Sequence, residues 1–179
     1  MKYASLLTLL FITISFWGQN YPKDYFIFPI NPGQQSYLAG TFGELRSNHF
    51  HSGIDIKTGG KEGLDVLAAA EGFVSRIKIG RGGYGKTLYI DHPNGYTTVY
   101  AHLQKFIPEI DSIIRAEQYR IKSYEVNFFP ERNAIRVNQR QKIAISGNTG
   151  GSSGPHLHFE IRNHKQEPVN PLYFGFTEI

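Results

Sequence analysis

Short runs of alternating apolar and polar residues, each closed by glycine, proline or asparagine, limit this chain more than any other feature. Residues 156–162 read HLHFEIR, with Leu157, Phe159 and Ile161 on one parity and His156, His158 and Glu160 on the other. A period of two marks a strand with one buried face, because successive side chains leave a strand on opposite sides. The stretch 63–80 alternates Phe73, Ser75, Ile77 and Ile79 against Val74, Arg76 and Lys78, and 141–147 supplies a further strand. Residues 81–103 read as a hairpin whose arms, 87–91 and 96–103, flank the turn HPNG. The expected fold is therefore mainly β, an antiparallel sheet or flattened barrel. One stretch departs from this pattern. Over 107–120 the residues Ile110, Ile113, Ile114 and Glu117 recur at helical spacing, and Pro108 suits a first turn.

The 179 residues suffice for one domain with a real core. Nineteen glycines and 14% aromatic residues agree with a turn-rich β protein. The chain has no cysteine, which excludes disulfides, thiolate metal sites and cysteine nucleophiles. A net charge of +4 favours anionic partners such as a cell wall and is too small to indicate nucleic acid.

The first residues, MKYASLLTLLFITISFWGQN, place one lysine before an apolar run from Tyr3 to Trp17. Such a run is short for a membrane span and has the length of a signal-peptide core. Residues 1–19 are read as a signal peptide cleaved near Gly18 or Gln19, although Phe16 and Trp17 stand where small residues are preferred; an uncleaved anchor is the alternative. Both readings export the rest, to the periplasm, cell envelope or exterior. No second apolar run of that length follows.

The chemistry lies in seven histidines. In HSGID, His51 and Asp55 are four apart and share a strand face; in HLHFEI, His156, His158 and Glu160 share one. Neutral imidazole and carboxylate suit zinc, and a catalytic zinc site keeps three protein ligands and an open position. Isolated H-x-H and H-x-x-x-D patterns also arise by chance in solvated or core histidines. His49 has the parity of His51 and competes with it as a ligand, His92 reads as a turn residue, and His164 as a solvated one.

Taken in order, HFHSGIDI, YAHL, GNTGGSSGPHLHFEIRN and NPLYF resemble the lysostaphin/LytM-type zinc metallopeptidases that cut peptidoglycan peptides. The resemblance runs from about Phe42 to Phe174. It implies a lead-in over 20–41 and a peptidase domain of the LytM type (a duplicated hybrid motif) over 42–176. It also implies one zinc ion held by His51, Asp55 and His158, with His102 and His156 as unmetallated catalytic histidines. Amide hydrolysis at neutral pH needs an activated water, a proton acceptor and a donor to the tetrahedral oxyanion, which such a set supplies. The sequence leaves open which of His102 and His156 plays which part. No H-E-x-x-H is present, which excludes the helical zincin arrangement. The small residues before His156 are expected to wall the substrate groove, letting an extended peptide approach the backbone.

The resemblance has departures. Some members carry a tyrosine shortly before the first metal histidine, where this chain has Phe42, which lacks a hydroxyl. Arg46 resembles an arginine of many relatives and either binds a substrate carboxylate or braces its loop. Residues 104–140 form an insertion containing the expected helix. It is expected to wall one side of the groove and offers a surface for an envelope protein partner. Larger members carry further domains, so the chain reads as a fragment or a minimal form. The implied function is an exported zinc metalloendopeptidase acting on peptidoglycan stems or cross-links, with no nucleic-acid partner and no membrane span after signal cleavage. The alternatives are a catalytically silent module that activates a cell-wall amidase, and a zinc peptidase acting on protein substrates.

Overall fold

Each alternating run finds an antiparallel neighbour. The computed structural model describes residues 20–179; the signal peptide expected over 1–19 lies outside the described residues. The strands, in chain order, are β1 (Leu38–Gly40), β2 (Ile54–Lys57), β3 (Asp65–Leu67), β4 (Gly72–Ile79), β5 (Lys86–Asp91) and β6 (Thr97–Ala101). After β7 (Lys105–Phe106) comes the helix α1 (Pro108–Ile121). It is followed by β8 (Val126–Phe128), β9 (Arg136–Val137), β10 (Lys142–Ile145), β11 (His156–Arg162), β12 (Pro168–Val169) and a 3-10 turn, Pro171–Phe174. Among the described residues no helix is long and apolar enough to cross a membrane.

A nine-stranded sheet carries the path β1-β2-β11-β6-β5-β4-β8, with β12 beside β11 and β9 beside β4. A smaller sheet orders β3-β10-β7. Neither closes into a barrel, so the flattened alternative of the expected β fold is the one adopted. Ile54, Ile56, Leu88, Ile90, Tyr100, Leu157, Phe159 and Ile161 from the large sheet join Val66, Phe106 and Ala144 from the small one in a single buried cluster. Phe26, Phe28 and Ile30 belong to the same cluster, and Ile27 N–H donates to Ala69 O at 2.8 Å. The expected lead-in over 20–41 thus packs on the domain's own core and supplies its first strand.

The alternation expected along β4 is corrected at its N-terminal end. The register between β4 and β5 shifts between Val74 and Arg76. A bulge changes the parity of a strand, so Val74, Ile77 and Ile79 are buried while Phe73 is half-buried.

The insertion is a continuation of the fold. β7 pairs with β10, α1 follows, and β8 and β9 both pair with β4. Pro108 opens α1, and Lys122 closes it in the left-handed conformation with its N–H directed at the carbonyls of Gln118 and Tyr119. Ile110 and Ile114, one turn apart, are buried, whereas Ile113 is 37% exposed, so the apolar stripe is narrower than expected. β8 lies at the end of the large sheet beside β4, separated from β6 by β4 and β5.

Candidate metal centre and groove

Three adjacent strands bring the histidines together. β11 lies between β2 and β6, and its register sets His158 opposite Asp55 on one side and Ala101 on the other. Directly opposed side chains on one face stand within contact distance. His102 follows β6 in a left-handed backbone conformation, φ 56°, a costly state for a residue with a side chain. His51 is delivered by a hairpin over 41–51, in which Gly43 N–H donates to His51 O and His51 N–H to Glu44 O, each at 2.8 Å.

Ligand atoms of His51, Asp55 and His158 all lie within 4.8 Å of one another. Asp55 Oδ1 is 3.0 Å from His51 Nε2 and 3.0 Å from His158 Nδ1, and those two nitrogens are 3.0 Å apart. All three residues are buried. His156 Nε2 is 3.4 Å from Asp55 Oδ1, and the rings of His102 and His156 are 4.8 Å apart between centroids. His49 stays out of this cluster, exposed and bonded to Asn48 Oδ1 at 2.6 Å.

Each imidazole is fixed by its other nitrogen. His51 Nδ1–H donates to Thr41 O, His102 Nδ1–H to Thr149 O and His156 Nδ1–H to Gly154 O, each at 2.8 Å. A carbonyl oxygen only accepts, so these bonds assign the proton and leave Nε2 free towards the groove. His158 is turned the other way: its Nε2 meets Glu160 Oε1 at 2.8 Å and its Nδ1 faces the centre. An outer partner on each ring is the arrangement that orients metal-binding histidines.

The sequence had placed Glu160 on the polar face but gave it no role. It is fully buried and receives hydrogen bonds from Ser52 Oγ at 2.6 Å, from Tyr84 OH, and from Arg162 Nε at 2.6 Å, besides His158. Burial alone would raise its pKa; the bonds from His158 and the charge of Arg162 outweigh that and bring it down to about 2. Tyr84 was also missed. Burial and the Glu160 charge hold its hydroxyl well above the usual phenol range. Nothing in the local sequence marks Tyr84, since its partner is 76 residues away.

Asp55 is opposed by burial, yet the bonds from His156, His158 and His51 hold its carboxyl far below the usual range. Burial pushes His102 down to about 4, against the bond to Thr149. His92 opens the turn, as expected, with Gly95 N–H donating to His92 O at 3.0 Å, and its ring is buried besides: Nδ1–H donates to Glu71 O at 2.7 Å and Nε2 lies 2.8 Å from Thr98 Oγ1. His164 is exposed, as expected.

The cluster opens into a groove of about 620 Å³. Arg46, Ser47 and His49 line one part of it, Gly83, Tyr84 and His102 another, and Gly151–Pro155 a third. The small-residue loop is therefore a wall, as expected, but its first half is fastened. Gly151 N–H donates to Gly83 O at 2.7 Å, and a Cβ on Gly150, whose φ is 77°, would lie 2.3 Å from Gly85 N. Close backbone contact is what glycine permits here, and it aims the Thr149 carbonyl at His102. No residue of 104–140 lines the groove. The expectation that the insertion walls the site is corrected: its β8 and β9 pair with β4 at the far end of the large sheet, and its β7 joins the small one.

Two imidazoles and one carboxylate form a donor set suited to zinc, and unlike the all-oxygen cages of calcium or magnesium. The residues present fit such an ion.

The pattern of peptidase family M23 matches residues 49–119 and 129–171, and the chain belongs to that family. A DD-carboxypeptidase/endopeptidase of Neisseria meningitidis is 33% identical over 150 residues, covering 81% of this chain and 28% of its own. The murein hydrolase activator NlpD of Escherichia coli is 35% identical over 134 residues, covering 75% of this chain and 28% of its own. The chain thus spans about a quarter of the length of these curated relatives. Among solved structures, a zinc-containing peptidase from Vibrio cholerae superposes with a TM-score of 0.59 at 26% identity, covering 83% of this chain and 39% of that one.

Proposed function

We propose that the chain is an exported zinc metalloendopeptidase that hydrolyses peptide bonds in peptidoglycan stems or cross-links within the cell envelope. The observation that carries this reading is the convergence of His51 Nε2, Asp55 Oδ1 and His158 Nδ1 beside two further histidines that face one groove. His51, Asp55 and His158 would hold the ion. When bound, zinc supplies a Lewis acid for the scissile carbonyl and lowers the pKa of water.

The chain's own residues do the rest. The groove accepts an extended peptide between the 41–51 hairpin and the Gly151–Pro155 wall. His102 and His156 each present Nε2 to it, because their Nδ1 protons are committed to Thr149 O and Gly154 O. One ring, neutral, takes the proton of the attacking water at Nε2 and returns it to the departing amine as the C–N bond breaks; the other, protonated at both nitrogens, donates its Nε2–H to the developing oxyanion. His102 is buried, 7% exposed, and His156 half-buried, which limits competing water at the pair.

A second reading, an activator of another wall hydrolase, is favoured by the likeness to NlpD. The full ligand set and the oriented histidine pair support the peptidase. Digesting purified peptidoglycan with the zinc-loaded protein and weighing the products by mass spectrometry separates the two. New peptide termini support the peptidase; intact peptides, with cleavage only when a separate amidase is added, support the activator.

A further inference from the structure

Asp55 divides its two oxygens between different neighbours. Oδ1 faces inward, 3.0 Å from His51 Nε2, 3.0 Å from His158 Nδ1 and 3.4 Å from His156 Nε2. Oδ2 faces outward and accepts from Arg46 Nη2 at 2.8 Å. The same Nη2 is 3.1 Å from Glu44 Oε2, so one nitrogen of the guanidinium serves two carboxylates.

The surrounding chain is built around that contact. Arg46 sits at the turn of the 41–51 hairpin, with its N–H donating to His49 O at 2.9 Å and Leu45 bridged to Phe50. The hairpin also supplies the Thr41 carbonyl that orients His51. β1 pairs with β2 so that Gly40 stands opposite Asp55. A Cβ on Gly40 would lie 2.3 Å from Arg46 Nη2 and 2.5 Å from Asp55 Oδ2. Glycine is what leaves space for the pair. Arg46 Nε, meanwhile, is buried with no partner among the described residues. An unmet buried donor is costly, and it is the consequence of aiming the guanidinium at Asp55 through its far end.

We propose that Arg46 is a positioning residue that keeps Asp55 a one-oxygen ligand. The proposal rests on the zinc-peptidase reading. A catalytic zinc site needs three protein ligands and an open position. A carboxylate free to rotate can offer both oxygens and fill that position. A charge-assisted bond to Oδ2 removes the second oxygen and fixes the rotation. The alternative role, an anchor for a substrate carboxylate, would have to use another nitrogen of the guanidinium, since Nη2 is already shared between Asp55 and Glu44.

The test uses the full chain and three variants, Arg46→Gln, Arg46→Lys and Gly40→Ala. Zinc affinity is measured by competition with a chromophoric chelator, and the visible spectrum is recorded with cobalt in place of zinc. Arg46→Gln is expected to bind zinc about 10- to 100-fold more weakly, with the cobalt bands weakened as coordination number rises. Gly40→Ala should reproduce both changes, and Arg46→Lys, which keeps a cation, should restore most of the affinity. KM should change alike for a peptide with a free carboxyl terminus and for its amide. Folded Arg46→Gln and Gly40→Ala proteins with wild-type affinity and spectra would overturn the proposal. So would a KM increase confined to the carboxylate peptide. A wild-type protein that takes up no zinc overturns the parent reading; zinc uptake in the wild type with no change in the variants overturns this proposal alone.

Discussion

Glu160 Oε1 stands 2.8 Å from His158 Nε2, and the carboxylate is fully buried beneath the ring that it holds. His158 is thereby fixed with Nδ1 towards Asp55 and His51. Substituting Glu160→Gln keeps the shape but places an amide donor among Ser52, Tyr84 and Arg162, which all donate to this site. Breaking one side of a buried pair costs about 3 kcal/mol, and disturbing an outer partner of a metal-binding histidine lowers affinity about 10- to 100-fold. Urea unfolding and chelator competition on the variant should both register the change. A variant equal to wild type in both would reduce Glu160 to a filler of the sheet.

Removal of the ion, or of its ligands, should abolish turnover. With three ligands there is none to spare. Asp55→Ala and His158→Ala are each expected to lose bound zinc and peptide cleavage together. Treating the wild type with a strong chelator should do the same, reversibly on adding zinc. Stoichiometric zinc retained in both variants, read by atomic absorption, would break the ligand assignment.

His102 should separate binding from chemistry. His102→Asn is the informative variant, because asparagine tolerates the left-handed φ of 56° better than alanine. It is expected to keep its zinc while turnover falls on the order of 10²-fold, the loss typical of a general base or oxyanion donor. Unchanged turnover in a folded, metal-loaded variant would make His102 structural.

His92 gives the fold a pH dependence separate from the site. Burial pushes it down to about 4 from 6.5, so the native state prefers the neutral ring. The unfolded chain binds the proton first as pH falls. Stability from this group is therefore complete above pH 6.5 and is lost as pH falls from there through about 4. The shift corresponds to about 3 kcal/mol between those limits. Urea midpoints of wild type and His92→Gln, compared at pH 7 and pH 4, should show the wild type losing more by roughly that amount. Equal losses would place His92 outside the titrating set.

Much of this was legible because it is local. The run at 156–162 is an alternating strand in sequence, and it is β11 residue for residue. The helix at 107–120 forms one residue later at each end. Parity also put His156, His158 and Glu160 on one face. The Val74–Arg76 bulge was not legible, because the shift is a property of the β4–β5 pairing. Burial of His92 depends on Glu71, 21 residues away. Arg46 could be seen, but its role depended on where β1 put Gly40. The insertion was misjudged because its ends lie near His102 and the small-residue loop in sequence, whereas pairing carries its middle to the far edge of the sheet.

The final prediction concerns that insertion. Its Ile110 and Ile114 are 0% and 1% exposed, and Val126 and Val137 are buried too, so it holds part of the core. Ile114→Ala should cost about 2–5 kcal/mol, the range for emptying a core isoleucine site. Tyr119, on the same helix, is 82% exposed, and Tyr119→Ser should stay within about 0.5 kcal/mol of wild type. None of these residues lines the groove, so the spectrum of wall peptides released should be the same for wild type, Tyr119→Ser and the folded fraction of Ile114→Ala. Urea unfolding gives the first two values, and mass spectrometry of digested peptidoglycan gives the third. A changed peptide spectrum in Tyr119→Ser at normal stability would return the insertion to the substrate path.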